Sequence, residues 1–97
     1  MIIKKDKLIK VEKSDVKDGI LTIPEGVKKI RDLAFADVMV YIVWNDKIER
    51  YERTQDVKIT KLVLPRSLSI KEASKINLKL LNVEDVVIAD SENELTL

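Results

Sequence analysis

Apolar residues recur along the chain in a pattern that repeats about every 21 residues. The stretch LTIPEGVKKI (21–30) lies over IVWNDKIERY (42–51) after a shift of 21, and over LVLPRSLSIK (62–71) after a further 20, without gaps. Leu21, Ile42 and Leu62 then share a column, as do Ile23, Trp44 and Leu64, and Val27, Ile48 and Leu68. A fourth column holds Ile30 and Tyr51 and is broken by Lys71, beside Ile70. Pro24 and Pro65 share a column with Asn45 between them, and a weaker copy begins at Val86 and Ile88, with Leu95 in the fourth column.

The apolar-x-apolar triplet predicts a short strand with two side chains on one face. Pro or Asn just after it ends the strand, because Pro has no N–H for a ladder. The later apolar columns carry the chain back over the same core. A single unit has too little apolar surface to fold alone, so the units are expected to stack and share one interior.

LTIPEGVKKIRDLAF (21–35) resembles a bacterial surface-antigen-type leucine-rich repeat, also called BspA-like, whose pattern is Leu-x-Ile-Pro-x-x-Val-x-x-Ile followed by Ala-Phe. Ala34 and Phe35 stand at the family's spacing, and LVLPRSL (62–68) repeats the first half. The chain departs from the pattern where Arg31 replaces the usual Gly and where the middle copy has Trp44, Asn45 and, at the Ala-Phe position, Gln55-Asp56. The resemblance implies an α/β leucine-rich-repeat solenoid, with helical or irregular returns, and protein-binding roles. It carries no catalytic residues.

The rest of the chain fits around three to four repeats at 19–90, as one domain of 97 residues. MIIKK and LIKV flank Asp6-Lys7, which predicts an N-terminal hairpin cap within 1–18. Asp18-Gly19 supplies the turn into the first repeat. Ser69 and Glu72 fit a capping box, and Ile70, Ala73, Ile76 or Asn77, and Leu80 follow at helical spacing, which predicts a helix near 70–80. A shorter helical turn is expected at 28–36 with Ile30, Ala34 and Phe35 inward. The last strand is expected at 86–89 and an acidic cap at 91–97.

Strand alternation divides interior from exterior. If Leu21/Ile23, Ile42/Trp44, Leu62/Leu64 and Val86/Ile88 face the core, the neighbours Ile20, Thr22, Tyr41, Val43, Lys61, Val63, Asp85 and Val87 face outward. Thr22, Val43, Val63 and Val87 then form one row on strands about 4.8 Å apart, which Ile20 and Tyr41 extend into an apolar patch. Such a patch suggests a contact surface with Tyr41 as its aromatic anchor. The competing account is β propensity, since Val and Tyr suit strands whether or not anything docks on them. A slip of the middle strand by one residue would bury Val43 and turn Trp44 outward.

Composition narrows the chemistry. There is no Cys and no His, so thiolate catalysis, Cys or His metal sites and the commonest general base are all excluded. Gly19 and Gly26 alone cannot build a P-loop or a dinucleotide motif, and no Ser lies in a nucleophile-elbow context. Glu84-Asp85 is a carboxylate pair without metal-loop spacing, so exposed surface is the expected role. Enzyme activity, a cofactor and a metal are therefore not expected.

Lys and Arg number 18 against 17 Asp and Glu, so no general attraction to nucleic acid follows. Residues 1–31 hold nine bases and five acids, which makes a weak nucleic-acid contact an alternative. Residues 80–97 hold five acids and no base. MIIKKDKLIK is not a signal peptide, and no apolar run approaches the ~20 residues of a membrane span, which predicts a cytoplasmic chain that does not enter a membrane. The function expected is a protein-protein interaction module, in its narrower form a phage or mobile-element inhibitor of a host defence complex. The alternative on the same face is a structural homodimer.

Overall fold

The computed structural model describes residues 1–89, so the acidic cap expected at 91–97 lies outside them. The described residues are mixed α/β, mostly short strands in small sheets with two short helices. In chain order the strands are β1 (Ile2–Lys4), β2 (Lys7–Lys10), β3 (Val16–Lys17), β4 (Ile20–Thr22), β5 (Lys29–Ile30), β6 (Tyr41–Asn45), β7 (Arg50–Thr54), β8 (Lys61–Leu64) and β9 (Asp85–Ile88). Helices α1 (Ile70–Ala73) and α2 (Leu78–Leu81) lie between β8 and β9.

The stacking read from the apolar columns is present for three of the four units. β4 runs parallel to β8 with Leu21 opposite Leu62, and β8 runs parallel to β9 with Leu62 opposite Val86. Leu21 and Leu62 are fully buried, and Ile23, Val27, Leu64 and Leu68 join them in one core with Ile30, Ala34 and Phe35. Val86 and Ile88 align with this row but are exposed, at 39% and 60%, so the expectation that they face the core is not met; among the described residues β9 ends the sheet.

Turns and ends follow local chemistry. Asp18 and Gly19 both take positive φ, the geometry a two-residue hairpin turn needs, and join antiparallel β3 and β4. A Cβ on Gly19 would also stand 2.8 Å from the Thr60 hydroxyl oxygen. Thr60 N–H donates to the Gly19 carbonyl at 2.7 Å, and the Thr60 carbonyl accepts from Glu84 and Asp85, so the corners before the three parallel strands also stack. The N-terminal hairpin forms as β1 and β2, but its turn is Lys5-Asp6 rather than Asp6-Lys7, with Lys5 at φ 58°. β5 then pairs parallel to β2.

Pro24 and Pro65 end β4 and β8 at equivalent points, and the turns behind them interlock. The Glu25 carboxylate accepts from the backbone N–H of Arg66 and Ser67 at 2.9 and 3.3 Å. Ser67 Oγ accepts from Gly26 N–H at 2.9 Å and donates to the Val27 carbonyl at 2.8 Å. Each bond spans about forty residues of sequence and ties one copy of the motif to the other.

Three further expectations are corrected. The helical turn expected at 28–36 begins instead as strand β5 and becomes a 3-10 turn only at Ala36–Val38, with Ile30, Ala34 and Phe35 still buried. The helix near 70–80 is broken into α1 and α2, because Asn77 opens a new helix by accepting from Leu80 N–H at 3.1 Å. Ser69 caps α1 through Glu72 N–H, yet Glu72 does not reach back to complete a capping box. Its carboxylate accepts from Ile30 N–H at 3.0 Å and pairs with Lys75.

The larger correction concerns the middle copy. Ile42, Trp44, Ile48 and Tyr51 do not enter the core, and β6 is not a strand of the parallel sheet. β6 instead pairs antiparallel with β7 in a separate two-stranded sheet, with Trp44 opposite Tyr51. Asn45 drives this closure. Its Oδ1 accepts from Lys47 and Ile48 N–H at 2.9 and 3.4 Å, while its amide donates to Glu52. An Asx turn returning the chain after four residues closes a far smaller loop than a twenty-residue coil would.

Core and arm should respond differently to truncation. Leu62→Ala is expected to cost about 2–5 kcal/mol in urea unfolding, as for a fully buried leucine. Trp44→Ala should change the same stability by less than about 1 kcal/mol, because the indole is half exposed, lies outside the buried core and meets Tyr51 within the arm. Comparable losses from both would contradict the separation of arm and core.

Candidate functional site

The residues expected on the outward face fall into two groups. Ile20, Lys61 and Asp85 are aligned across β4, β8 and β9, and Thr22, Val63 and Val87 form the next row. Alternation turns both rows away from buried Leu21 and Leu62. Ile20, Thr22 and Asp85 are exposed, whereas Lys61, Val63 and Val87 are half-buried. Tyr41 and Val43 are absent from these rows, because β6 left the sheet; Val43 faces Glu52 across the arm. Neither the in-register row nor the one-residue slip describes the middle strand, since Val43 and Trp44 are both exposed.

The arm has two faces of different character. Opposed residues of an antiparallel pair share a face, so Ile42, Trp44, Tyr51 and Arg53 lie on one side. Tyr41, Val43, Asn45, Arg50, Glu52 and Thr54 lie on the other. On the first, Ile42, Trp44 and Tyr51 are 64%, 51% and 70% exposed, and Ile48 in the turn is exposed as well. The indole and phenol rings meet edge to face with centroids 5.1 Å apart. Such pairing holds both rings in a defined orientation before anything binds. The strand columns carried this information only as apolar positions; their exposure was not readable.

The base of the arm is fastened by Gln55 and Asp56, two of the positions that break the repeat pattern. Gln55 Nε2 donates to the carbonyls of Val38 and Leu81 at 2.8 and 2.9 Å, bridging the entry of the arm and the end of α2. Val40 N–H donates to the Leu80 carbonyl at 2.7 Å. The Asp56 carboxylate accepts from the Tyr41 hydroxyl and from Lys13 Nζ, each at 2.6 Å. Tyr41 thus fastens the arm through its hydroxyl while its ring stays exposed, away from the rows of the parallel sheet.

These contacts set the charge states at the base. The Lys13 ammonium, then the Tyr41 hydroxyl, hold the Asp56 carboxyl below the usual aspartate range. Asp56 in turn raises the Lys13 ammonium and the Tyr41 hydroxyl above their ordinary values. Among the described residues no three carboxylates gather as a metal cluster, and every buried side-chain polar atom has a hydrogen-bond partner. No helix among them is long and apolar enough to cross a membrane.

Two outcomes are expected at the base. Gln55→Ala should cost about 1 kcal/mol and shift backbone NMR signals of 40–54 while leaving β4, β8 and β9 in place. Because the Asp56 value is depressed on folding, its stabilisation is complete above the ordinary aspartate range and is lost as pH falls through the folded value. Asp56→Asn should therefore flatten the acid limb of the thermal midpoint against pH; an unchanged limb would exclude this contribution. Comparison of the chain with family models, curated proteins and solved structures finds no match in any of the three.

Proposed function

We propose that this chain is a non-enzymatic protein-binding module, in which a short leucine-rich-repeat solenoid carries its second unit outward as a two-stranded arm. The observation supporting this is the Trp44–Tyr51 pair: two large aromatics, oriented and exposed, on an element that contributes nothing to the core. Trp, Tyr and Arg dominate contact energies at protein interfaces, and all three stand on one face of the arm. Exposed apolar side chains gathered on one element are the usual mark of a contact surface. The outward rows Ile20–Lys61–Asp85 and Thr22–Val63–Val87 offer a second, flatter surface on the same molecule.

A narrower form is an inhibitor that works by occupying a functional face of its target, as a phage or mobile-element protein does against a host defence complex. It fits a chain whose 97 residues here include no Cys or His to supply thiolate or imidazole chemistry. A nucleic-acid role through the lysine-rich start is the weaker alternative, because three of the four aromatics belong to the arm and not to that region.

The test is quantitative capture from host lysate by wild type, by Trp44→Ala/Tyr51→Ala and by Val63→Lys, each first shown to be folded by circular dichroism. A protein retained by wild type and Val63→Lys, but reduced at least about tenfold with the aromatic double variant, is the expected result. Loss with Val63→Lys alone would move the contact to the sheet rows. Retention of the same proteins by all three would overturn the module as described.

A further inference from the structure

The outer edge of β7 is open. β7 pairs with β6 on one side only, and among the described residues no other backbone hydrogen bond reaches 50–54. Alternate N–H and C=O groups along that edge therefore lack a protein partner, a template for one more strand. A two-stranded hairpin is also marginal in water, and it gains stability when further strands join it.

The sequence along this edge is complementary to its own reverse. Residues 49–53 read Glu-Arg-Tyr-Glu-Arg. When two copies of a strand pair antiparallel about a two-fold axis normal to the sheet, opposed side chains must share a face, so the axis passes between one residue and its own copy. With the axis at Tyr51, Arg50 stands opposite Glu52 of the second copy and Glu49 opposite its Arg53, each pair occurring twice. An axis at Arg50 or Arg53 opposes two arginines, and one at Glu52 opposes two glutamates. Like charges directly opposed are destabilising, so a single register is favoured.

Charged side chains and prolines usually keep an edge from pairing. This edge has no proline, and its charges are of both signs, placed so that a second antiparallel copy opposes each with its complement. Glu49, Arg50 and Arg53 form no ion pair among the described residues, and Glu52 bonds only to Asn45 within its own arm.

We infer that the arm is a self-association element: two copies join antiparallel along β7, with Tyr51 at the two-fold axis, to give a four-stranded sheet. Ile42, Trp44 and Tyr51 share a face within one arm, so the joined sheet presents both sets on one continuous apolar surface. The assignment is independent of the protein-binding role above, since a monomer can still bind a partner and a dimer can lack one.

Sedimentation equilibrium over a range of protein concentrations tests it. Wild type should dimerise reversibly, and Arg50→Glu should weaken the dimer about tenfold, because two attractive pairs become repulsive. Mixing Arg50→Glu chains with Glu52→Arg chains should restore association, since every opposed pair is then complementary. Arg53→Glu alone and with Glu49→Arg repeats the loss and rescue without touching the Asn45–Glu52 bond. A wild-type chain that stays monomeric would overturn the inference. So would a dimer indifferent to Arg50→Glu and Arg53→Glu, which would assign association to another surface.

Discussion

The parallel contact of β4 with β8 is the interaction on which the rest of the molecule depends. It places Leu21 against Leu62, both without solvent exposure, and brings together segments forty-one residues apart. Closing so long a loop is entropically unfavourable, and only shared apolar burial offsets it. Once the strands are joined, Ile23 N–H reaches the Val63 carbonyl and the turns after Pro24 and Pro65 fall into register. β9 extends the same ladder, with Ala89 N–H donating to the Leu64 carbonyl at 2.7 Å.

Polar side chains then bind the layers together at their corners. Glu25, Ser67, Glu72 and Gln55 all hydrogen-bond backbone groups of distant segments. These are positions where irregular returns leave N–H and C=O groups outside any ladder. The side chains supply what regular secondary structure would otherwise provide. Glu72 illustrates the competition: the Ile30 N–H, then Lys75, hold its carboxyl below the usual glutamate range. A local capping box loses that carboxylate to a contact between layers.

The arm follows a different balance. Its two strands pair almost locally, through an Asn45 turn, and leave Ile42, Trp44 and Tyr51 outside the core. Side chains that would have filled another layer of the interior become the most exposed large apolar groups of that region. Gln55 and Asp56, where the repeat pattern has Ala-Phe, fasten the arm at its base with polar contacts instead of apolar ones. One substitution of the motif thus opens the arm at Asn45, and another closes it at Gln55-Asp56.

The register of the parallel strands was legible from the apolar columns alone: Leu21, Leu62 and Val86 align as their spacing predicts, and Pro24 and Pro65 end their strands at matching points. The buried side chains of the first unit, Val27, Ile30, Ala34 and Phe35, were legible in the same way. The role of the middle unit was not. Apolar alternation at Ile42 and Trp44 suits a stacked strand and a hairpin equally, because each needs only a period of two. Which partner β6 takes depends on the closure available at Asn45 and on how well Leu21 and Leu62 seal against each other without it. Those are properties of the assembled chain, decided when β4 meets β8 directly and leaves no place between them.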